Sequence, residues 1–208
     1  PRGLKEKEIT LDLALRVREL LELASFEVVM TRDEDEALTL EERAEIGNRS
    51  EGDIFISIHV NWIETRSRGV ETYYLGPTED PFLTRLAARE NRESGYTLAD
   101  FRSMLERVYA DVRQDESRQL AGAIQGSLYS SLRRVNPEIE NRGVKTAPFA
   151  VLVRTEMPAI LAEVSCLSNE REAELLGQSH YRDFIAGALV EGIQAYADAL
   201  IQTPERGS

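Results

Sequence analysis

The chain has 208 residues, 42% hydrophobic and 30% charged, with 25 basic against 37 acidic side chains and a formal net charge of −12. That length suits one domain with a core of its own, and the apolar content excludes a disordered chain. The acidity argues against a nucleic-acid surface, no apolar run reaches the roughly 18–20 residues that span a bilayer, and the single Cys166 excludes a disulfide framework or a cysteine-built zinc site.

In chain order, Leu11, Ala14, Val17, Leu20, Leu21 and Ala24 recur at helical spacing and predict a helix over 6–24. Phe26 to Thr31 is a short β-branched run that reads as a strand. Thr39 and Glu42 fit a capping box opening a helix to about Asn48. Asp53 to Val60 predicts a strand with Ile54, Ile56 and Ile58 on one face and Phe55, Ser57 and His59 on the other. Two largely apolar faces suggest an interior strand of a covered sheet. Gly69 to Leu75 reads as a further strand.

Residues 76–116 change character, with Pro77, Pro81, a capping pattern at Thr97 and Asp100, and a helical stripe of Leu98, Phe101, Leu105, Val108 and Val112. They predict an insertion carrying its own helices. Ser117 is placed to cap the next helix, whose stripe is Leu120, Ile124, Leu128 and Leu132. Phe149 to Val153 and Ala159 to Val164 read as strands. A final helix from Ser179 to about Leu200 would turn Phe184, Ala188, Ile193 and Tyr196 inward. The alternation predicts an α/β fold: a single layered domain over 1–202, a mostly parallel or mixed central sheet flanked by helices, the helical insertion, and a tail over 203–208.

Three polar residues break the pattern. His59 closes a buried strand near its carboxyl end, where ligands gather in open α/β sheets; the alternative is a core histidine bonded to a backbone carbonyl. Glu163 interrupts Pro158-Ala159-Ile160-Leu161-Ala162. A carboxylate on a buried strand is costly unless paired, metal-bound or protonated, and burial raises its pKa toward the range of a general base. A salt bridge to Arg142 is the structural alternative. Glu6, in Lys5-Glu6-Lys7-Glu8, reads by itself as an acidic group favoured at a helix start. His180, the other histidine, reads as a surface residue.

These residues carry a resemblance that covers nearly the whole chain. Gly3-Leu4-Lys5-Glu6-Lys7, the run Thr31-Arg32, Asp35, Leu40, Arg43 and Asn48, and the strand Asp53-Ile54-Phe55-Ile56-Ser57-Ile58-His59-Val60-Asn61 come first. Gly69-Val70-Glu71-Thr72, Ser117-Arg118-Gln119-Leu120-Ala121, Arg142-Gly143-Val144-Lys145 and Pro158 to Val164 follow in order. Together they resemble the zinc-dependent N-acetylmuramoyl-L-alanine amidases of the type 3 catalytic domain.

By that resemblance Glu6 and His59 would be ligands of Zn2+ and Glu163 the catalytic carboxylate. The substrate would be peptidoglycan, cut between N-acetylmuramic acid and L-alanine during cell-wall remodelling or daughter-cell separation. An activator protein would act on the insertion, with neither nucleic acid nor a membrane span involved. The location would be the periplasm or extracellular cell envelope, with any signal peptide upstream of Pro1.

The family's other histidine stands in a Gly-His-Gly-Gly segment well before the position of Glu6. Only five residues precede Glu6, so that strand and ligand are expected upstream of this sequence. Val164-Ser165-Cys166 stands where the family carries Val-Gly-Phe. The alternatives are an inactive peptidoglycan-binding or regulatory domain, or another zinc amidohydrolase.

Overall fold

The computed structural model describes residues 3–62, 67–91 and 112–202. Helix α1 (Glu6–Leu23) buries Ile9, Leu13, Val17 and Leu21, a stripe at four-residue spacing. Leu20, expected inward, is half-exposed. Helix α2 (Leu40–Arg49) opens with the expected capping box: Thr39 Oγ1 accepts from Glu42 N–H at 3.1 Å, and Glu42 Oε2 accepts from Thr39 N–H at 2.7 Å.

Among the described residues four strands form one mixed sheet in the order β1-β4-β2-β3: β1 (Phe55–Asn61), β2 (Val70–Leu75), β3 (Asn141–Ala147) and β4 (Ala159–Cys166). β1 runs parallel to β4, β2 antiparallel to β4, and β3 parallel to β2. Helix α3 (Pro81–Glu90) follows β2, with Asp80 as N-cap and Pro81 in its first turn. Helix α4 (Val112–Leu132) precedes β3, the short α5 (Ala150–Val153) precedes β4, and α6 (Glu170–Leu176) and α7 (Ser179–Gln202) follow β4.

The sheet's two faces carry two cores. One face packs Val60, Val70, Ile160, Ala162 and Val164 against α1, α4 and α7. The other packs Phe55, Tyr73, Leu75, Ala159 and Leu161 against Leu83, Leu86 and Ala87 of α3 and Leu152 of α5. Helices α4 and α7 meet closely at Gly192, where a Cβ would stand 2.9 Å from the Cα of Ile124.

Several expectations need correction. Phe26 to Thr31 forms no strand; its β-branched residues favour extended backbone, but a strand also needs a ladder partner, and none stands beside it among the described residues. Phe26 and Val28 instead pack by their side chains against the first core. β1, expected in the sheet's interior, is an edge strand among the described residues. Phe149 to Val153 is not a strand: an apolar run this short does not distinguish strand from buried helix. Asn91 organises that segment, accepting from Ala150 N–H and donating to Pro148 O, both at 2.8 Å.

Ser117 lies inside α4 rather than at its start, and its Oγ accepts from Ala159 N–H at 3.0 Å, tying α4 to the head of β4. Phe184 faces outward at 45% exposure. β3 went unread because Asn141, Arg142, Gly143 and Lys145 give an edge strand no apolar alternation.

Helix α7 is long and apolar enough, by length and composition alone, to cross a membrane, a criterion that a buried core helix also meets. Its Tyr181, Ile185, Leu189 and Ile193 are buried in the first core. Within 76–116, α3 is part of the second core rather than a peripheral appendage; the Thr97–Asp100 cap and the Leu98, Phe101, Leu105 and Val108 stripe lie outside the described residues, as does the side chain of Val112, and so does the tail 203–208.

Candidate active site

The fold brings together the three residues singled out in the sequence. Glu6 is the first residue of α1, and its Oε1 accepts from the Val60 N–H of β1 at 3.1 Å. The same oxygen lies 3.2 Å from His59 Nδ1. The other ring nitrogen, Nε2, sits 3.1 Å from Ser57 Oγ two residues back on the same strand face. His59 therefore has a hydroxyl partner instead of the backbone carbonyl of an ordinary core histidine.

His59 is level with Glu163 across the parallel β1–β4 pair, near the carboxyl ends of both strands. Glu163 is level with Glu71 across the antiparallel β4–β2 pair. Residues level with each other project to one face, so His59, Glu163 and Glu71 form a row across three strands. The row extends to β3: the register shifts between Val70 and Thr72, leaving Arg142 and Gly143 opposite Glu71. A bulge of this kind inserts one extra residue, and Gly143 takes it at φ +80°, where a side chain would be strained.

Electrostatics separate the two carboxylates of the row. Glu163 is 2% exposed, and its Oε2 has no hydrogen-bond partner. Burial pushes its pKa well above the usual carboxylate range; the charge of His59 pulls it down, while Glu6, Glu90 and Glu71 push it further up. The expected alternative for Glu163, a salt bridge to Arg142, is not formed. Arg142 pairs with Glu71 at 3.0 Å, and Lys145 joins the same oxygen at 2.5 Å.

His59 is lifted to about 9: burial opposes its charge, but the hydrogen bond to Glu6 and the nearby carboxylates outweigh that. Glu6 is held below its ordinary value, because the His59 and Val60 hydrogen bonds outweigh its desolvation.

Glu90, at the end of α3, was not singled out in the sequence. Its Oε2 lies 3.8 Å from His59 Nδ1, and Arg89 pairs with its other oxygen at 2.9 Å. Nothing in the local pattern marks it, since it ends a helix rich in charge. Glu71 and Asn61 were within the resemblance but carried no role. The signal for Glu71 was available: like Glu163, it places a carboxylate in an otherwise apolar and aromatic strand. His180 is exposed at the start of α7, as expected.

Among the described residues no three His, Cys, Asp or Glu side chains are gathered as a complete metal centre. The Glu6–His59 pair nonetheless fits part of one. Two donors each about 2.0–2.1 Å from a tetrahedral zinc stand roughly 3.3 Å apart, close to the 3.2 Å between Glu6 Oε1 and His59 Nδ1. Carboxylate oxygen and imidazole nitrogen are both zinc donors, and the Ser57 hydroxyl on the far ring nitrogen would orient the ring.

A histidine beside a buried carboxylate, at the carboxyl edge of a mixed sheet covered by helices, places the molecule among the layered α/β enzymes with a carboxylate–imidazole centre. Comparison with known proteins narrows this. The chain belongs to the N-acetylmuramoyl-L-alanine amidase family, whose model matches residues 1–195, and its activity is that of a peptidoglycan amidase.

YqiI of Bacillus subtilis strain 168 is 32% identical over 196 residues, covering 94% of this chain and 76% of that protein. The N-acetylmuramoyl-L-alanine amidase AmiA of Escherichia coli K12 is 28% identical over 200 residues, covering 93% and 69%. Among solved structures, the amidase AmiC2 of Nostoc punctiforme superposes with a TM-score of 0.71 at 26% identity, over 95% of this chain and 87% of that one. The CwlD amidase of Clostridioides difficile, solved in complex with the GerS lipoprotein, gives 0.70 at 26% identity, over 95% and 89%.

Proposed function

We propose that the chain hydrolyses the amide between the lactyl group of N-acetylmuramic acid and the L-alanine of the stem peptide, in a zinc-dependent reaction of cell-wall remodelling or daughter-cell separation. The observation that carries this reading is the convergence of Glu6, His59 and Glu163. A carboxylate–imidazole pair at ligand spacing shares a sheet edge with a buried carboxylate that has an unpartnered oxygen. Glu6 and His59 would hold zinc, with the remaining imidazole of the family's site absent from the two histidines of this chain. When bound, zinc lowers the pKa of a coordinated water to about 7 and polarises the carbonyl under attack.

The chain's own residues supply the proton chemistry. Glu163 takes the proton of the attacking water and delivers it to the departing amide nitrogen. A carboxylate raised by burial and like charges is suited to both steps, because its proton affinity approaches that of the groups it serves. Ser57 keeps the His59 ring in place through Nε2, leaving Nδ1 and the adjacent Glu6 Oε1 for the metal.

The work would be done in the periplasm or extracellular envelope, where the polymer lies. A partner protein acting on 76–116 would meet α3, whose Glu90 stands beside His59; the CwlD–GerS complex supports a protein partner for this fold. Digestion of purified peptidoglycan followed by mass analysis tests the reading. Release of peptides with a free L-alanine amino terminus from otherwise intact glycan is expected. Cuts at other bonds would contradict it, and binding without any cleavage would favour the inactive wall-binding alternative.

A further inference from the structure

The far end of the site's row carries two cations for one carboxylate. Arg142 Nε donates to Glu71 Oε2 at 3.0 Å and Lys145 Nζ to the same oxygen at 2.5 Å, while Asn61 Nδ2 donates to Oε1 at 2.8 Å. The Glu71 side chain is 1% exposed, against 22% for Arg142 and 27% for Lys145. The carboxylate is thus sealed beneath cations whose outer sides reach water. Two cations thus meet one buried carboxylate on a chain whose net charge is −12.

Three buried oxygens near this spot lack hydrogen-bond partners: Asn61 Oδ1, Glu163 Oε2 and the Tyr73 hydroxyl beneath Lys145. Asn61 is 3% exposed, and its amide nitrogen is committed to Glu71, so its oxygen is left as an acceptor. Buried polar atoms are nearly always paired, and a ligand N–H is one partner that would complete this oxygen. A peptide ligand supplies a complement to each of these groups: a carboxylate for the paired cations and a backbone N–H for the Asn61 oxygen.

We propose that Arg142 and Lys145 form a seat for a free carboxylate on the peptide side of the scissile amide, with Asn61 Oδ1 accepting a peptide N–H of the same ligand. This rests on the amidase reading of the site. The spacing suits it. Neighbouring strands lie about 4.8 Å apart, which sets β3 roughly 10 Å from β4, the span of about three peptide residues. The cut bond at Glu163 and the carboxylate at Arg142 and Lys145 then belong to one short stem peptide. The seat favours substrates whose stem carboxylates are free over those in which they are amidated.

The test compares a muramoyl peptide with free stem carboxylates and its carboxamide twin. Binding is read by calorimetry on the Glu163→Gln protein, so that the ligand survives, and cleavage is read as kcat/KM on the wild type. The free carboxylate is expected to bind about tenfold tighter and to be cut with a correspondingly lower KM, as charge-assisted hydrogen bonds imply. The gap closes in Lys145→Gln and in the Arg142→Gln/Glu71→Gln double variant, which keeps Glu71 from being left buried with too few partners. Equal affinity together with equal kcat/KM overturns the seat and leaves the amidase reading in place. A carboxylate preference in binding, without cleavage of either ligand by the wild type, upholds the seat and overturns the amidase reading. The wild-type comparison needs no folded variant.

Discussion

At the scale of single residues, Glu163 and Glu71 show how one residue type takes two roles on neighbouring strands. Glu71 meets two cations and an amide. Glu163 meets the charge of His59 at a distance and keeps one oxygen without a partner. Burial without full pairing costs stability, and such a cost is tolerated where chemistry needs it. Glu163→Gln is therefore expected to lower turnover about 10²–10⁴-fold without lowering the melting temperature; full activity in that variant would remove Glu163 from proton transfer. Glu71→Ala is expected to act through the fold instead, costing about 1–3 kcal/mol in denaturant unfolding, because the buried Asn61 amide loses its acceptor. His59 and Glu163 were legible because each breaks an apolar strand. Glu6 was legible only through the resemblance, since an acidic residue at a helix start has an ordinary explanation. Glu90 was not legible, because its significance lies in a tertiary approach that no local pattern encodes.

At the scale of elements, α1 is fastened to α7 by a network around Asp12. Arg16 Nε donates to Asp12 Oδ2 at 2.8 Å, Arg182 Nε donates to it at 2.6 Å, and Arg182 Nη1 reaches Leu176 O at 2.6 Å. Burial alone would push Asp12 up, but the hydrogen bonds from both arginines outweigh it and hold the carboxyl below its ordinary value. A carboxylate with a lowered folded-state pKa stabilises the fold above its unfolded value of about 3.9 and loses that contribution as pH falls below it. Asp12→Asn should remove that pH-dependent part. Unfolding free energies measured from pH 6 to pH 2.5 should fall less steeply in the variant, the difference staying within about 1 kcal/mol because the side chain is 37% exposed. Equal slopes would show the network contributes nothing.

Two further element-scale changes follow from geometry. Thr39→Ala removes the cap of α2 and should cost about 1 kcal/mol in chemical denaturation. Gly192→Ala forces a Cβ against Ile124 where α4 and α7 meet and should cost about 1–3 kcal/mol. The helices α1, α2, α4 and α7 were readable from periodicity and caps. The strand at 26–31 and the one at 149–153 were misread for opposite reasons: the first has strand propensity without a ladder partner, and the second has strand-like composition but winds into a single turn under the Asn91 amide.

At the scale of the whole molecule, two cores on the two faces of one sheet hold the row of polar residues between β1 and β3. Alternating strands and helices made the layered α/β fold readable. The mixed strand order was not, because the polar β3 hides from pattern analysis and its pairing with β2 is a long-range choice. The proposed site lies where the rule for open α/β sheets puts ligands, near the carboxyl ends of the parallel strands β1 and β4. In the proposed site Glu6 and His59 grip a metal ion opposite Glu163. Zinc affinity of the full-length protein, measured in competition with a chromophoric chelator, tests it most directly. One zinc per chain is expected, with a loss of at least about tenfold in affinity in both Glu6→Gln and His59→Ala. Undiminished zinc binding in either variant would contradict it.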